Sequence, residues 1–235
     1  MKDIVKSIDE ELSRLKLRYA EQLKPFSFSV TTITDKRTAL DRDELSFVQG
    51  SSEQRQIEFA SGRFVAKKAL ATIGCLNRQI LTDTLGRPVW PTGFKGSISH
   101  AGGLVAAAVR PDKSGEFGVG LDIERSNRVK TRLFRRLFTQ WEEERYLVQS
   151  LADDWPTIVF SAKESIYKAV NPLTQEYLGF LEVEVDLDWV GRRFSARHKS
   201  GFSRNCLIET GEGFFFSSDG YVCSIFILEI SSGSF

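Results

Sequence analysis

The sequence has little of the chemistry on which disulfide-rich, zinc-binding or membrane-spanning proteins depend. Its 235 residues include only three cysteines and two histidines. An odd number of cysteines without metal-type spacing (Cys75, Cys206 and Cys223) predicts buried thiols of a reducing compartment. Two histidines argue against a histidine-rich zinc site. No apolar run approaches the roughly 20 residues of a membrane span, and the start has no apolar signal-peptide core. We therefore expect a cytoplasmic protein without stable membrane insertion.

The sequence also lacks an excess of charge of one sign. Its 32 lysines and arginines oppose 31 acidic residues, which gives a net charge of +1. No basic, aromatic-rich stripe is present, so the sequence argues against a nucleic-acid partner. The hydrophobic share of 41% is ordinary for a globular protein. Any electrostatic function must therefore be local.

Hydrophobic patterns predict strands and a long helix on both sides of a loop near residue 115. No internal sequence repeat is evident. The predicted helices cover residues 1–19, 52–73, 132–148 and 155–170, the last ended by Pro172. The predicted strands cover residues 26–33, 103–110 and 118–124, followed by a sheet over 181–230 with a hairpin turn at Asp219-Gly220. This order predicts an α+β protein of two subdomains, residues 1–115 and 116–235.

Residues 118–124, Gly-Val-Gly-Leu-Asp-Ile-Glu, alternate like a strand. Alternation places Gly120, Asp122 and Glu124 on one face and the larger apolar residues on the other. Two carboxylates beside a glycine suit magnesium, a hard cation that usually binds few carboxylates together with phosphate oxygens and water. Taken alone, the segment favours a strand end whose acids simply face water.

Residues 160–168, Phe-Ser-Ala-Lys-Glu-Ser-Ile-Tyr-Lys, place Glu164 and Lys168 on one helical face. Such a pair can be an ordinary surface contact worth roughly 0.2–0.5 kcal/mol. It can also be a third carboxylate beside a cation. With magnesium and a diphosphate present the charges balance, and Lys168 can neutralise a reacting phosphate.

Residues 85–103 are rich in glycine and proline and predict a loop. Arg87, Lys95, Ser99 and His100 can donate hydrogen bonds to phosphate oxygens there. A proline-rich surface loop is the alternative interpretation. Ser99 and His100 do not form a nucleophile–base pair, because adjacent residues on a strand face opposite ways.

These three segments, in this order, resemble the motifs of the 4′-phosphopantetheinyl transferases, specifically the monomeric surfactin- and enterobactin-synthetase type. The resemblance covers residues 55–168. It implies an enzyme that moves the phosphopantetheine arm of coenzyme A to a serine of an apo acyl- or peptidyl-carrier protein, releasing adenosine 3′,5′-bisphosphate. It also implies a monomer built as a pseudo-twofold pair of similar α/β subdomains, with the active site in the cleft between them.

The resemblance also implies roles for individual residues. Asp122, Glu124 and Glu164 would hold Mg²⁺ against the coenzyme A diphosphate. Glu164 would be the catalytic base, directly or through a water, and Lys168 would steady the reacting phosphate. The implied coenzyme A-binding residues are Arg55, Arg63, Arg87, Ser99, His100, Asp122 and Lys168.

Arg132, Arg135 and Arg136 predict a basic, partly apolar helix face. Such a face either complements an acidic carrier protein or is simply solvated. Two other function classes stay open: a magnesium-dependent phosphohydrolase or nuclease that uses the same acids, and a non-catalytic module that binds coenzyme A or a carrier. The sequence does not name the carrier among fatty-acid, polyketide, polyunsaturated fatty-acid and siderophore pathways, although its motifs favour secondary metabolism.

Overall fold

The computed structural model describes residues 1–112, 114, 117–149, 154–200 and 204–230. The chain separates into two compact units, Met1–Gly115 and Glu116–Phe235. Each unit combines helices with an antiparallel sheet. The predicted α+β class is therefore confirmed.

In the first unit, helices pack on a three-stranded antiparallel sheet of order β1-β5-β4, beside a two-stranded ribbon β2-β3. The elements in chain order are α1 (Lys2–Arg18), α2 (Ala20–Leu23), β1 (Ser27–Thr32), a 3₁₀ turn (Arg37–Ala39), α3 (Arg42–Val48), α4 (Glu53–Thr72), β2 (Leu81–Thr82), β3 (Pro88–Val89), β4 (Phe94–Ala101) and β5 (Leu104–Pro111). Helix α4 packs on β5 through small and branched side chains such as Ala66 and Val65, which meet Val105 and Ala107.

In the second unit, one long helix crosses a five-stranded antiparallel sheet of order β6-β10-β9-β8-β7. The elements are β6 (Phe117–Arg125), a 3₁₀ turn (Thr131–Leu133), α5 (Phe134–Leu137), α6 (Gln140–Gln149), α7 (Trp155–Thr174), β7 (Val183–Asp188), β8 (Arg193–His198), a 3₁₀ helix (Arg204–Thr210), β9 (Glu212–Ser218) and β10 (Tyr221–Glu229). Helix α7 packs on β6 and β10.

Two glycines let α7 lie directly on the backbone of β6. A Cβ atom at Gly120 would overlap the carbonyl group of Ser165, and one at Gly118 would overlap the carbonyl oxygen of Ala169. Only glycine permits so close an approach. Because side chains alternate along a strand, the residues two and four positions after Gly120 face the same helix.

Several predicted boundaries differ from the structure. The predicted helix 132–148 is broken at residues 138–139, because Thr139 begins a new helix through a capping box with Glu142. Pro172 does not end α7, which continues to Thr174 and stops at the left-handed Gln175. The polar segment before α4 contains the helix α3, and the turn-rich segment contains the strand β4.

The predictions for two helices, the late sheet and one hairpin turn are confirmed. Helices α1 and α4 and the late sheet lie where the hydrophobic pattern places them. Asp219 and Gly220 both have positive φ angles, as a tight hairpin turn requires. Cys75 and Cys223 are buried free thiols, whereas the side chain of Cys206 lies outside the described part. Among the described helices, none has both the length and the hydropathy of a membrane-spanning segment.

Candidate active site

The carboxylates of β6 face the helix α7. Asp122 is 2% exposed, and its Oδ1 accepts a hydrogen bond from Lys168 Nζ at 2.6 Å. Glu124 lies two residues further along the same strand face, with its Oε2 3.6 Å from Arg128 Nε. Glu164 stands one helical turn before Lys168 on α7. The close packing of β6 and α7 therefore brings acids distant in sequence to one lysine.

Burial and the charge of Asp122 raise the pKa of both glutamates at this site. Burial raises the pKa of Glu124 from 4.5 to about 7, and the charge of Asp122 adds to this rise, while Arg128 and Lys168 oppose it. Burial also raises the pKa of Glu164; Lys168 opposes this effect and Asp122 adds to it. The cluster therefore concentrates negative charge that a bound cation would relieve.

The donor set suits magnesium, although the side chains do not form a ready cage. In the described residues, no group of three or more histidine, cysteine or acidic side chains is gathered closely enough to hold a metal ion. Mg²⁺ usually takes one or two carboxylates and fills its octahedron with phosphate oxygens and water. Carboxylate oxygens with excess negative charge fit this mode, in which a diphosphate supplies further ligands.

A cavity of about 170 Å³ opens beside Glu164. Its walls combine aromatic rings with polar groups, since Phe180 stacks on Phe160 and Tyr177 packs edge-on against Tyr167. The lining residues are Lys163, Glu164, Tyr167, Tyr177, Leu178, Gly179, Phe180 and Val183. The carboxylate implied to be the base therefore borders a space that can admit part of a substrate.

Arg63 lies in the interior of the first unit. It is 5% exposed; its Nε donates to the carbonyl oxygen of Ile80 at 2.8 Å, and its Nη2 donates to Leu81 O at 3.2 Å and Thr82 Oγ1 at 2.9 Å. Burial lowers its pKa to about 10. These contacts tie β2 to α4, and the implied contact of Arg63 with coenzyme A stays a prediction.

The other predicted coenzyme A ligands of the first unit occupy more open positions. Arg55 is exposed in the first turn of α4. Arg87 is half-buried and its Nε donates to Asp83 Oδ2 at 2.7 Å. Ser99 is buried and His100 is exposed, because they are successive residues of β4 and point to opposite faces. Their implied roles stay predictions.

One buried charged pair was missed at the sequence level. Lys163 Nζ lies 2.6 Å from Glu142 Oε2, and both side chains are almost fully buried. The pattern Thr139-x-x-Glu142 is a recognisable capping box and could have identified the acid. The lysine gives a weaker signal, because its partners come from segments remote in sequence.

Comparisons with known proteins match most of the chain to one family. Residues 43–110 match the model of the 4′-phosphopantetheinyl transferase N-terminal domain, and residues 118–226 match that of the 4′-phosphopantetheinyl transferase superfamily. The 4′-phosphopantetheinyl transferase PptT of Mycobacterium tuberculosis is 30% identical over 156 residues, which cover 64% of this chain and 68% of that relative.

Two further relatives carry related names. The 4′-phosphopantetheinyl transferase Svp of Streptomyces mobaraensis is 32% identical over 69% of this chain and 67% of its own length. Enterobactin synthase component D of Escherichia coli (strain K12) is 34% identical over 60% of this chain and 66% of its own length. The chain belongs to the 4′-phosphopantetheinyl transferase superfamily.

Proposed function

We propose that this chain transfers the 4′-phosphopantetheine arm of coenzyme A to a serine of an apo acyl- or peptidyl-carrier protein and releases adenosine 3′,5′-bisphosphate. The observation that carries this proposal is the contact of Lys168 with Asp122 at 2.6 Å, where β6 packs on α7. Glu124 and Glu164 are close enough to influence the same charges. Family membership supports the same reaction.

Asp122, Glu124 and Glu164 would hold Mg²⁺ together with the diphosphate of coenzyme A. When bound, the ion would neutralise the diphosphate charge and polarise the phosphate that reacts. The excess of carboxylates over cations at the site supports this role. The concentrated negative charge also explains why a lysine stands beside Asp122.

The residues of the chain would then carry the proton and orient the groups. Glu164 accepts the proton of the carrier serine, directly or through a water, and its raised pKa makes it a stronger base. The serine oxygen bonds to the phosphorus that bears pantetheine, and the bond from that phosphorus to adenosine 3′,5′-bisphosphate breaks. Lys168 lends positive charge to the reacting phosphate.

The first unit would hold the nucleotide part of coenzyme A. Arg55, Arg87, Ser99 and His100 supply donors for phosphate oxygens, as the motif resemblance implies. The exposure of Arg55 and His100 leaves them able to reach a ligand. Arg63 would contribute mainly by holding β2 in place.

An acidic carrier would dock on the segment that contains α5. Arg132, Arg135 and Arg136 are exposed there, while Leu133 and Phe134 pack against the core. A groove of about 450 Å³ adjoins this surface, lined by Arg135, Phe138, Thr139, Gln140, Glu143, Glu144, Leu147, Leu181 and Lys199. Exposed arginines beside apolar side chains suit an acidic, amphipathic partner.

Charge reversal of Arg135 and Arg136 tests this docking surface. We expect a higher KM for the carrier and an unchanged KM for coenzyme A, because the substitutions repel an acidic partner only. Steady-state kinetics with each substrate varied in turn gives both constants. An unchanged KM for the carrier would rule out the surface.

We further propose a monomer that acts in the cytoplasm of its cell and serves secondary metabolism. The buried free thiols of Cys75 and Cys223 suit a reducing compartment. Relatives named enterobactin synthase component D favour a siderophore or related carrier. Polyketide and fatty-acid carriers are the other candidates.

The reaction can be tested by mass spectrometry of carrier proteins. The chain is incubated with Mg²⁺, coenzyme A and a panel of apo carriers, and each carrier is weighed. We expect a gain of one phosphopantetheine arm that is lost without Mg²⁺. Hydrolysis of nucleotides or nucleic acid without a carrier would favour the phosphohydrolase; coenzyme A binding without product would favour the binding module.

A further inference from the structure

The buried pair Glu142–Lys163 belongs to a network at the start of α6. Glu142 is the third residue of that helix; its Oε2 accepts the backbone N–H of Thr139 at 2.9 Å, and its Oε1 accepts that of Val185 in β7 at 2.9 Å. Lys163 of α7 donates to Glu142 Oε2 at 2.6 Å. One carboxylate therefore joins two helices and a strand.

The first unit contains the same arrangement around another glutamate. Glu44 is the third residue of α3; its Oε2 accepts the backbone N–H of Asp41 at 2.9 Å, and its Oε1 accepts that of Ile80 at 2.8 Å. Lys67 of α4 donates to Glu44 Oε2 at 2.6 Å. Each glutamate thus caps its own helix, holds a later segment and pairs with a lysine of the long helix.

The two lysines also match in their local sequence and in one further contact. Each donates to the carbonyl oxygen two residues before the helix cap: Lys67 to Ala39 at 3.1 Å and Lys163 to Leu137 at 2.9 Å. The segments Phe64-Val65-Ala66-Lys67 and Phe160-Ser161-Ala162-Lys163 share the pattern Phe-x-Ala-Lys. The correspondence is short in sequence and becomes evident through its shared contacts.

The two lysines differ in their third acceptor. Lys67 is 17% exposed and donates to Asp41 Oδ2 at 2.8 Å, whereas Lys163 is 2% exposed and donates to Phe180 O at 2.6 Å. Phe180 lines the cavity beside Glu164. Lys163 therefore contacts the wall of that cavity, whereas the third acceptor of Lys67 is the aspartate that caps α3.

We propose that the Glu142–Lys163 pair positions Glu164, a role that rests on the proposed function. All three N–H groups of the ammonium are used, by the end of α5, by α6 and by the cavity wall. The end of α5 follows the arginines that would dock the carrier. Lys163 thus fixes the distance from the docking surface to the carboxylate one residue after it.

A neutral replacement of both partners separates positioning from simple loss of charge balance. Removing one partner alone would leave an uncompensated buried charge and destabilise the fold. The test protein is therefore Glu142→Gln/Lys163→Met. The matched control is Glu44→Gln/Lys67→Met, which removes the equivalent pair from the first unit. Both are compared with the wild type in thermal unfolding, coenzyme A binding and steady-state transfer to one carrier.

We expect the second-unit variant to lose about 10²-fold in kcat, the size found when a reacting group is misplaced by about 1 Å. Its KM for the carrier should rise and its affinity for coenzyme A should stay unchanged. The first-unit control should lose thermal stability but keep its kcat. Lys163→Arg, which keeps the charge and several donors, should recover part of the kcat.

Two results would overturn the inference without touching the proposed function. One is a kcat of the Glu142→Gln/Lys163→Met variant that equals the kcat of an active wild type. The other is an equal loss of kcat in both double variants. If the variant of the second unit fails to fold, Lys163→Arg decides, because wild-type kcat and carrier KM in that protein contradict a positioning role. A wild type without transfer to any carrier would refute the proposed function instead.

Discussion

The two long helices, α4 and α7, show how one scaffold serves two purposes. Both have 20 residues, pack on an antiparallel sheet and pair a lysine with a buried capping glutamate. After that lysine, α4 continues with the exposed Lys68 and α7 with Glu164. A lysine paired with a buried glutamate thus does not identify a site by itself. The candidate site lies where the helix also presents a carboxylate and a second lysine to acids of a neighbouring strand.

The two helices also differ in how closely they approach their sheets. In the second unit, glycines of β6 allow backbone contact with α7. In the first unit, a Cβ at Gly62 of α4 would lie 3.2 Å from Ile98 Cγ2, a tight contact with a side chain rather than with backbone. The close approach of a helix to its sheet therefore lies where Asp122 contacts Lys168.

Apart from the loss of the proposed base, the largest expected effect separates the acid–lysine pairs of the two units. Asp122→Asn should lower kcat/KM by about 10²–10³-fold, because it weakens both the metal site and the partner of Lys168. Asp41→Asn removes the acid 2.8 Å from Lys67 and should leave turnover unchanged. Initial rates from carrier mass measure both. Equal losses would remove the distinction between the units.

The next effect tests the close packing of β6. Gly120→Ala should lower the free energy of unfolding by about 3 kcal/mol or more, because the added Cβ meets backbone that cannot yield. Gly62→Ala should be nearly neutral, since alanine gains up to about 1 kcal/mol of helix propensity, which offsets one tight contact with the side chain of Ile98. Urea unfolding gives both values. A tolerated alanine at position 120 would contradict the backbone contact.

A smaller effect distinguishes the two arginines of α4. Arg63→Met should cost about 1–3 kcal/mol of stability, because buried carbonyl oxygens lose their donor. Arg55→Ala should leave stability unchanged and raise the KM for coenzyme A. Thermal unfolding and kinetics of both variants are the measurements. A stable Arg63→Met protein with weak coenzyme A binding would instead make Arg63 a ligand.

The smallest effect is a pH dependence of the second unit. The folded pKa of Glu124, about 7, lies above its ordinary value of 4.5. Between these values the unfolded carboxyl ionises while the folded one stays protonated, so stability falls as pH rises. Below pH 4.5, Glu124 contributes no pH dependence to the free energy of unfolding. Unfolding of metal-free protein from pH 4 to 8 should show a shallower decline in Glu124→Gln, and identical slopes would contradict the raised pKa.

Local patterns predicted the elements that carry the candidate site. Strand alternation placed Asp122 and Glu124 on one face, and helical spacing placed Glu164 and Lys168 on another. The approach of these two faces depends on Gly120, a residue that the sequence places beside the acids and that leaves room for α7. Each of these signals lies within a few residues, which is why sequence reasoning recovered them.

Contacts between remote segments were not predictable in the same way. The burial of Arg63 depends on carbonyl groups of residues 80–82, and that of Lys163 depends on residues 137, 142 and 180. Nothing in the adjacent sequence specifies these partners. The break before α6 could have been found, since Thr139 and Glu142 have the spacing of a capping box.

The most direct test compares the residue that follows the glutamate-paired lysine in each long helix. Glu164→Gln and Lys68→Met are assayed beside the wild type, with Mg²⁺, coenzyme A and one apo carrier, and the carrier mass is followed over time. We expect wild-type transfer by Lys68→Met and a loss of about 10²–10⁴-fold in Glu164→Gln, the range for a general base. Wild-type transfer by Glu164→Gln would contradict the role of Glu164 as the base.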